Sequence, residues 1–281
     1  MKKQYTIRRM RPEEIQIAID WAATEGWNPG LYDAEIFSVV DADGFFIGSL
    51  GHDPVAVGSA VAYNDHFAFC GLYIVHPDFR RRGYGLALTR ARLEYVGARN
   101  AGIDGVIENI PIYERVGYRL DHINTRYRGI ASPVPELHPC VTELSAVPMP
   151  LIERYDRQCF PAERAKFLYA WVTQLQSQGY AYLDEGFLKG YAVRRKCIDG
   201  HKIGPLFADS PQIAAHLLDA LLLEIPGDPF YLDLSHANPE VDALIRDYQL
   251  QEVFGAGRMY LKGKPYIAED KVFGVTTFEL G

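Results

Sequence analysis

One segment constrains the fold more than any other, because it joins an apolar strand to a helix through a loop rich in arginine and glycine. Residues 72–75 predict a buried strand, and residues 83–99 have the periodicity of an amphipathic helix. Gly83 and Gly85 remove side chains where the backbone must approach a ligand closely. The first amides of such a helix have no partner inside it, so the segment predicts an anion site suited to a diphosphate.

Three consecutive arginines, Arg80, Arg81 and Arg82, add positive charge to this loop. The loop matches neither common nucleotide-binding pattern, since it contains no G-x-x-x-x-G-K-[ST] and no G-x-G-x-x-G follows the strand. A basic turn that merely caps a surface helix is the alternative interpretation. The combined spacing of strand, proline, arginines, glycines and helix favours a phosphate-binding loop.

The chain as a whole is organised as two halves with the same order of strands and helices. Its 281 residues correspond to roughly two domains of ~150 residues. Matching landmarks recur at a near-constant distance: Asn109 and Asn238, each at the end of a predicted strand, lie 129 residues apart. We therefore predict an α/β fold of the α+β type, in which each half has a mixed, mostly antiparallel sheet flanked by helices.

The boundary between the halves is predicted from composition. Prolines cluster at residues 132–139, which is typical of a linker. This places the first domain at residues 1–130 and the second at residues 140–281.

Composition excludes several classes of protein. The net charge of −7 disfavours general binding to nucleic acid or to an anionic membrane. The longest apolar stretch, residues 67–75, is far shorter than the ~20 residues of a membrane span.

The basic start Met1-Lys2-Lys3 is not followed by an apolar core, so we predict no targeting segment. The four cysteines are widely spaced and the eight histidines show no ligand spacing, so we expect free thiols, a cytoplasmic location and no metal.

Two motifs together resemble those of the GNAT superfamily of N-acetyltransferases. The first is V-x-P-x-[FY]-[RQ]-x-x-G-x-[GA], the coenzyme A loop of that family, and it is matched here by Val75, Pro77, Phe79, Arg80, Gly83 and Gly85. The second is matched by Asn109-x-x-x-Tyr113-x-x-x-Gly117-Tyr118. The resemblance covers residues 5 to about 128, and the repeated organisation makes the chain similar to tandem members of the family with a degenerate C-terminal half.

The resemblance implies a role for each matching position toward acetyl-coenzyme A. The backbone of Tyr73, Ile74 and Val75 would bind the pantetheine arm. Asn109 would contact the same arm, and Tyr113 would protonate the leaving sulfur. The pyrophosphate would be held by the loop that Arg80 opens, through the amides of Arg81, Arg82, Gly83, Tyr84, Gly85 and Leu86.

The sequence does not identify the group that accepts the proton of the substrate amine. Many members of the family carry a glutamate on the fourth strand, whereas residues 66–73 of this chain contain no carboxylate. Glu108, Asp65 and Glu25 are the substitutes, and a chain of water molecules is a further possibility. Trp27, close to Glu25, lies in a loop that often lines the acceptor pocket in this family, where it would contact the substrate amine or anchor the loop.

The second half lacks the loop, since its corresponding segment reads Ala208-Asp209-Ser210-Pro211-Gln212 and Asp209 would repel a diphosphate. We therefore expect one coenzyme site per chain. The predicted function is acetyl transfer from acetyl-coenzyme A to a primary amine of a small molecule, by direct attack on the thioester, in a monomer or homodimer. A coenzyme A-binding sensor without turnover is the alternative, because the strand glutamate is missing.

Overall fold

The computed structural model describes residues 3–134 and 136–281. Three residues lie outside the described residues: Met1 and Lys2, which were considered as the start of a targeting segment, and Pro135 of the predicted linker. The elements of the first half are β1 (Tyr5–Arg9), α1 (Ile15–Thr24), α2 (Asp33–Val40), β2 (Phe45–Leu50), β3 (Asp53–Ser59), β4 (Val61–Ala62), β5 (Phe67–Phe69), β6 (Ile74–Val75), α3 (Tyr84–Val96), β7 (Asn100–Val106), α4 (Ile110–Val116) and β8 (Arg119–Ile130).

The second half repeats this alternation of strands and helices. Local sequence signals set several element ends: Ser210, for example, accepts a hydrogen bond from the Ile213 amide at 3.3 Å and so begins α7. The elements are β9 (Val141–Glu143), α5 (Met149–Cys159), α6 (Ala165–Thr173), β10 (Ser177–Asp184), β11 (Phe187–Lys196), β12 (His201–Ala208), α7 (Pro211–Leu222), β13 (Pro229–Ser235), α8 (Val241–Asp247), β14 (Gln251–Tyr260) and β15 (Val272–Gly274).

The strands form two sheets, and one of them runs through both halves. A four-stranded antiparallel sheet has the order β1-β2-β3-β6. An eleven-stranded sheet has the order β4-β5-β7-β14-β8-β13-β15-β12-β11-β10-β9. The predicted mixed, mostly antiparallel sheet flanked by helices is confirmed, and the two halves share it.

The last long strand of each half is built into the other half. β14, from the second half, pairs with β7 of the first, while β8, from the first half, pairs with β13 of the second. β8 and β14 also pair with each other. This exchange joins the halves through main-chain hydrogen bonds, so their relative position is fixed by the sheet itself.

The first half contains a gap where two strands diverge. The sequence predicts one continuous strand over residues 66–76, but the chain breaks at Leu72, whose φ is 47°. β5, before the break, pairs in parallel with β7, whereas β6, after the break, pairs only with β3. A wedge therefore opens between β6 and β7.

The second half has the same wedge between β12 and β13, but there it is filled. β12 pairs in parallel with β13 only through residues 201–203. Beyond that point β15 lies between them and pairs with both strands. β15 was not predicted, because three residues are too few to show a hydrophobic period.

Residues 272–281 form a buried segment that links the two wedges. A Cβ at Gly204, at the start of the second wedge, would lie 2.6 Å from the Val275 carbonyl oxygen. A Cβ at Gly71, the corresponding position of the first wedge, would overlap the backbone of Glu279. Both positions therefore require glycine because the same segment passes directly over them.

Buried ion pairs tie the two halves together around this segment. Arg126 on β8 binds Asp233 on β13 through two hydrogen bonds of 2.6 and 2.7 Å. Arg195 on β11 binds Asp33 at the start of α2. Burial by itself would raise the pKa of Asp33, but the Arg195 guanidinium outweighs that effect and holds it below its usual range. In the described part of the chain, no helix has the length and apolar character needed to span a membrane.

Candidate active site

The wedge between β6 and β7 opens into a cleft of about 960 Å³. Both halves contribute to its walls. One wall of the cleft consists of the strand break, the end of β7 and α4. The other wall consists of residues 252–256 of β14 with Phe278 and Glu279. Nine of the residues singled out by the sequence line this cleft: Glu25, Trp27, Tyr73, Ile74, Val75, Arg80, Glu108, Asn109 and Tyr113.

The backbone around the break presents free hydrogen-bonding groups to the gap. The His76 amide donates to the Val55 carbonyl at 3.0 Å. This bond shows which residues of β6 direct their amides toward β3. In an antiparallel pair every second residue directs its amide away from the partner strand. The amides of Tyr73 and Val75 therefore face the wedge, where an extended ligand would meet them.

The arginine and glycine loop lies at the mouth of the cleft. Arg81, Arg82, Gly83 and Leu86 are exposed there, Tyr84 is half-buried, and Gly85 is buried. Gly83 has a φ of 87°, and no atom lies within 4 Å of the position that a Cβ would take. No side chain caps α3, and the amides of residues 81–86 donate to no backbone carbonyl within the described chain. The loop thus offers unpaired donors and open space beside them, which fits a diphosphate.

Gly85 has a different task from Gly83. A Cβ at Gly85 would overlap the Tyr73 hydroxyl and lie 2.9 Å from a methyl group of Val75. Glycine at this position lets α3 pack closely against the strand break. The two glycines of the motif are therefore required for separate reasons, one for the ligand space and one for packing.

Arg92, on α3, is a residue of the cleft that the sequence analysis missed. Its side chain is buried, and its Nε donates to the Ser59 carbonyl at 2.7 Å. Its guanidinium also lies 5.3 Å from the centre of the Tyr73 ring. Arg92 thereby fixes the strands on both sides of the break. Its helical spacing resembles that of a surface residue, so the sequence carries no signal for this role.

Tyr113 lies on α4 across the cleft from the break. Its ring packs on Gly105 of β7, where any side chain would overlap it. Burial raises the pKa of Tyr113, and the nearby Arg92 opposes that shift only in part. The hydroxyl is consequently protonated at neutral pH and able to donate. Asn109 precedes α4 and lines the same wall.

Glu25 and Arg80 pair with each other at the edge of the cleft. Arg80 also donates from Nε to the Val75 carbonyl at 2.9 Å, so its side chain fastens the loop to the end of β6. The carboxylate of Glu25 is therefore engaged by an arginine. Glu25 and Arg80 were assigned separate roles from the sequence, and the structure brings them together.

Trp27 lies where the first half meets the second. Its carbonyl accepts hydrogen bonds from Arg126 at 2.6 Å and from Lys202 at 3.0 Å. Its side chain lines the cleft, as do Phe254 and Phe278, whose ring centres are 5.8 Å apart. This end of the cleft is thus aromatic, and it is built by residues of both halves.

The carboxylates near the cleft differ in their surroundings. Glu108 is exposed in the turn before α4, and Glu252 is exposed on β14. Asp65 lies in the β4–β5 turn, outside the residues that line the cleft. Glu279 is only 4% exposed and lines the cleft. The sequence analysis did not consider Glu279, because its position depends on the path of residues 272–281.

The corresponding positions of the second half are filled by the protein itself. The helix that follows its wedge, α7, is capped by Ser210. Asp209 accepts a hydrogen bond from the Tyr155 hydroxyl at 2.8 Å and pairs with Lys271 at 2.9 Å. With β15 in the wedge as well, the described residues of the second half leave neither the space nor the free donors of the first.

One group of potential metal ligands lies outside the cleft. Asp121, His122 and Glu269 have ligand atoms within 4.8 Å of one another. The Lys264 ammonium lies 3.3 Å from Asp121 and 2.6 Å from Glu269, so a cation of the protein already neutralises both carboxylates. The cysteines Cys70, Cys140, Cys159 and Cys197 are free thiols, as expected from their spacing.

Comparison with known proteins relates both halves to one family. A model of the acetyltransferase (GNAT) family matches residues 12–118, and a model of an acetyltransferase (GNAT) domain matches residues 152–274. A curated relative, holothin acyltransferase from Pseudoalteromonas sp. (strain SANK 73390), is 28% identical over 275 residues, which span 96% of this chain and 92% of the relative.

Solved structures share the fold over nearly the whole chain. A candidate acetyltransferase from Pyrococcus horikoshii superposes with a TM-score of 0.85 at 22% identity, covering 99% of this chain and 96% of that one. A tandem GNAT protein from the clavulanic acid biosynthesis pathway gives a TM-score of 0.64 at 12% identity, covering 92% and 98%. The tandem arrangement predicted from the repeat is thus found in a solved structure.

Proposed function

Because the chain is an acyltransferase of the GNAT family with two GNAT domains, we propose that it transfers an acetyl group from acetyl-coenzyme A to a primary amine of a small molecule. The observation that carries this proposal is the open wedge of the first half, which joins unpaired backbone donors, the arginine and glycine loop and Tyr113 in one cleft. The second wedge lacks all of these features, so we propose a single coenzyme site per chain.

Residues on three sides of the cleft support acetyl-coenzyme A as the donor. The amides of residues 81–86 would hold the diphosphate, and Arg81 and Arg82 would add positive charge from the exposed side. The amides of Tyr73 and Val75 would bind the pantetheine arm as a strand does. Asn109 would contact that arm from the opposite wall. When bound, the coenzyme supplies a thioester whose carbonyl carbon is open to attack by an amine.

Two groups of the protein would assist the transfer. An amide at the strand break would donate to the carbonyl oxygen as negative charge develops on it, and such a donor typically contributes ~10²–10³-fold to kcat. The Tyr113 hydroxyl, kept protonated by burial, would donate to the departing sulfur. A thiol of pKa ~8.5 is a moderate leaving group, so weak and late donation by tyrosine suffices.

The far end of the cleft supports a small amine as the acceptor. Trp27, Phe254 and Phe278 supply aromatic surface that suits an apolar body or attracts a cation. Glu252 and Glu279 add negative charge on the same side. The residues from the second half close this end of the cleft, which favours a small molecule over the surface of a protein. The curated relative is itself named as an acyltransferase, so acyl transfer is the reaction to test first.

Thiol release with a panel of amines tests the proposal. We expect the purified protein to release coenzyme A from acetyl-coenzyme A only when a suitable amine is present, with the acetylated amine detected by mass spectrometry. Tight binding of acetyl-coenzyme A without thiol release for any amine would instead support a coenzyme A-binding sensor. Absence of binding would refute both functions.

A further inference from the structure

We propose that the carboxylate of Glu279 accepts the proton of the substrate amine, so that the second half supplies the base for the reaction in the first half. This inference rests on the function proposed above and names the group that the sequence left open. Its basis is the path of residues 272–281, which leave the filled wedge of the second half and end at the strand break of the first.

The position of Glu279 follows from its contact with Gly71. The backbone of Glu279 lies directly over the Gly71 Cα, at the point where β5 and β6 separate. The neighbouring Leu280 carbonyl accepts a hydrogen bond from the Tyr63 hydroxyl at 2.8 Å, which holds the segment in place. Glu279 and Phe278 both line the cleft. The segment that carries Glu279 is therefore held beside the break, where the thioester carbonyl would be attacked.

The hydrogen bonding of Glu279 sets it apart from the other shielded carboxylates. Asp33, Asp104, Asp156 and Asp233 each bind an arginine through two hydrogen bonds. Glu279 has no cation within 4 Å among residues 3–134 and 136–281, and its carboxylate only accepts from the Thr277 hydroxyl. In a structural ion pair an arginine binds both oxygens of a carboxylate, whereas one carboxylate oxygen of Glu279 has no hydrogen-bond partner among the described residues.

Buried cationic side chains lie behind Glu279. Arg126, Arg195 and Lys202 lie in the interior near it, and only the two arginines have carboxylate partners. Burial lowers the pKa of Lys202, Arg126 lowers it further, and Glu279 opposes that shift. Glu279 is thus the carboxylate that acts on a buried lysine with no acidic partner within 4 Å in the described part of the chain.

The other carboxylates of the cleft fit the role less well. Glu25 is engaged by Arg80, and Asp104 is engaged by Arg258 at 2.7 Å. Glu108 and Glu252 are exposed, so water would screen them and compete for the amine. Glu279 alone combines burial, a place in the cleft and freedom from an arginine within the described residues.

The substrate nitrogen loses two protons during the transfer. The substrate ammonium gives one proton to Glu279, and the lone pair of the resulting neutral amine forms the C–N bond with the thioester carbonyl carbon. The C–S bond breaks with its electron pair on sulfur, and sulfur takes a proton from Tyr113. The nitrogen loses a second proton as the amide forms, which restores Tyr113 through water. Glu279 releases its proton to solvent, so one proton is produced for each acetyl group transferred.

The test compares two acceptor amines of different basicity in the Glu279→Gln variant. Glutamine has the same shape and still accepts from the Thr277 hydroxyl, but it cannot take a proton. For an amine of pKa near 10 at pH 7.5, we expect kcat to fall by about 100-fold or more. For an amine whose pKa lies below the assay pH, which arrives already neutral, we expect kcat within about threefold of wild type. Calorimetry should give an unchanged Kd for acetyl-coenzyme A.

Glu14→Gln serves as the matched control, because Glu14 is also shielded but pairs with Arg8 away from the cleft. It should leave both amines unaffected. If Glu279→Gln fails to fold, Glu279→Asp is the variant to measure. It should lower kcat but leave the shape of the pH profile of kcat unchanged. Equal loss of kcat with both amines, no loss with either, or a loss confined to KM would overturn the proposal. A wild-type protein that releases no thiol with any amine would refute the proposed function instead, which separates the two failures.

Discussion

Replacing Gly83 with tryptophan tests the coenzyme site most directly. The space around this residue is open, since no atom lies within 4 Å of the position of a Cβ. A tryptophan side chain would therefore begin in open space and extend next to the amides of residues 81–86. The backbone adds a cost, because the φ of 87° is unfavourable for any residue with a side chain.

The two expected effects differ greatly in size. The left-handed backbone costs about 1–2 kcal/mol of folding free energy, which for a chain of this length lowers Tm by about 2–6 °C. Loss of two hydrogen bonds to a charged diphosphate removes about 3–6 kcal/mol of binding free energy. That corresponds to a Kd for acetyl-coenzyme A raised by about 150-fold to 20,000-fold. The protein should stay folded at 25 °C and lose the coenzyme.

Gly186, in the turn between β10 and β11, provides a matched control. Its φ is 80°, and it too has no atom within 4 Å of a Cβ position. Gly186→Trp should lower Tm by a similar amount and leave coenzyme binding unchanged. Calorimetric titration with acetyl-coenzyme A should give one site for wild type and Gly186→Trp, and none for Gly83→Trp. Wild-type affinity in Gly83→Trp would refute the assignment of the loop, and two sites in wild type would refute the single-site reading.

Three further changes probe other parts of the cleft and the fold. Tyr113→Phe should lower kcat by about 10–100-fold with an unchanged Kd for acetyl-coenzyme A, and an unchanged kcat would rule out proton donation by this residue. Trp27→Ala should raise KM for the amine more than Kd for the coenzyme in paired titrations; equal changes would assign it to anchoring the loop. Hydrogen bonds from Arg8 and from the Arg11 amide lower the pKa of Glu14 to about 2, so its contribution to stability is present above pH ~4.5 and is lost as the pH falls toward 2. Chemical denaturation at several pH values should show that the free energy of unfolding falls less steeply at acid pH in Glu14→Gln than in wild type. An equally steep fall in both proteins would contradict this account.

The sequence predicted the local structure well where the pattern was strong. The helix predicted over residues 83–99 is present as α3 (Tyr84–Val96), and the loop predicted before it is present as well. These elements depend on neighbouring residues, through caps, prolines and helical periodicity, so a local pattern contains the necessary information. The same holds for the loop at Gly83, whose left-handed conformation is signalled by glycine itself.

The exchange of β8 and β14 could not be predicted in this way. A strand with alternating burial pairs equally well with a neighbour from its own half or from the other half, and the repeat makes both partners similar. The break at Leu72 was missed for a related reason: it lies inside the apolar stretch of residues 67–75, so the hydrophobic pattern does not mark the point at which the strand changes partner. Arg92 and Glu279 were missed because their roles depend on what the fold brings beside them.

The path of residues 272–281 explains why the second half is retained although it lacks a coenzyme loop. A wedge between parallel strands leaves main-chain groups unpaired, and unpaired buried groups are costly. The second half satisfies these groups with β15, whereas no strand fills the wedge of the first half among the described residues. Filling the second wedge also anchors the segment whose far end lies over Gly71. The same ten residues therefore fill the second wedge and complete the walls of the first, and a first half expressed alone would lack β14, Phe278 and Glu279 from its cleft.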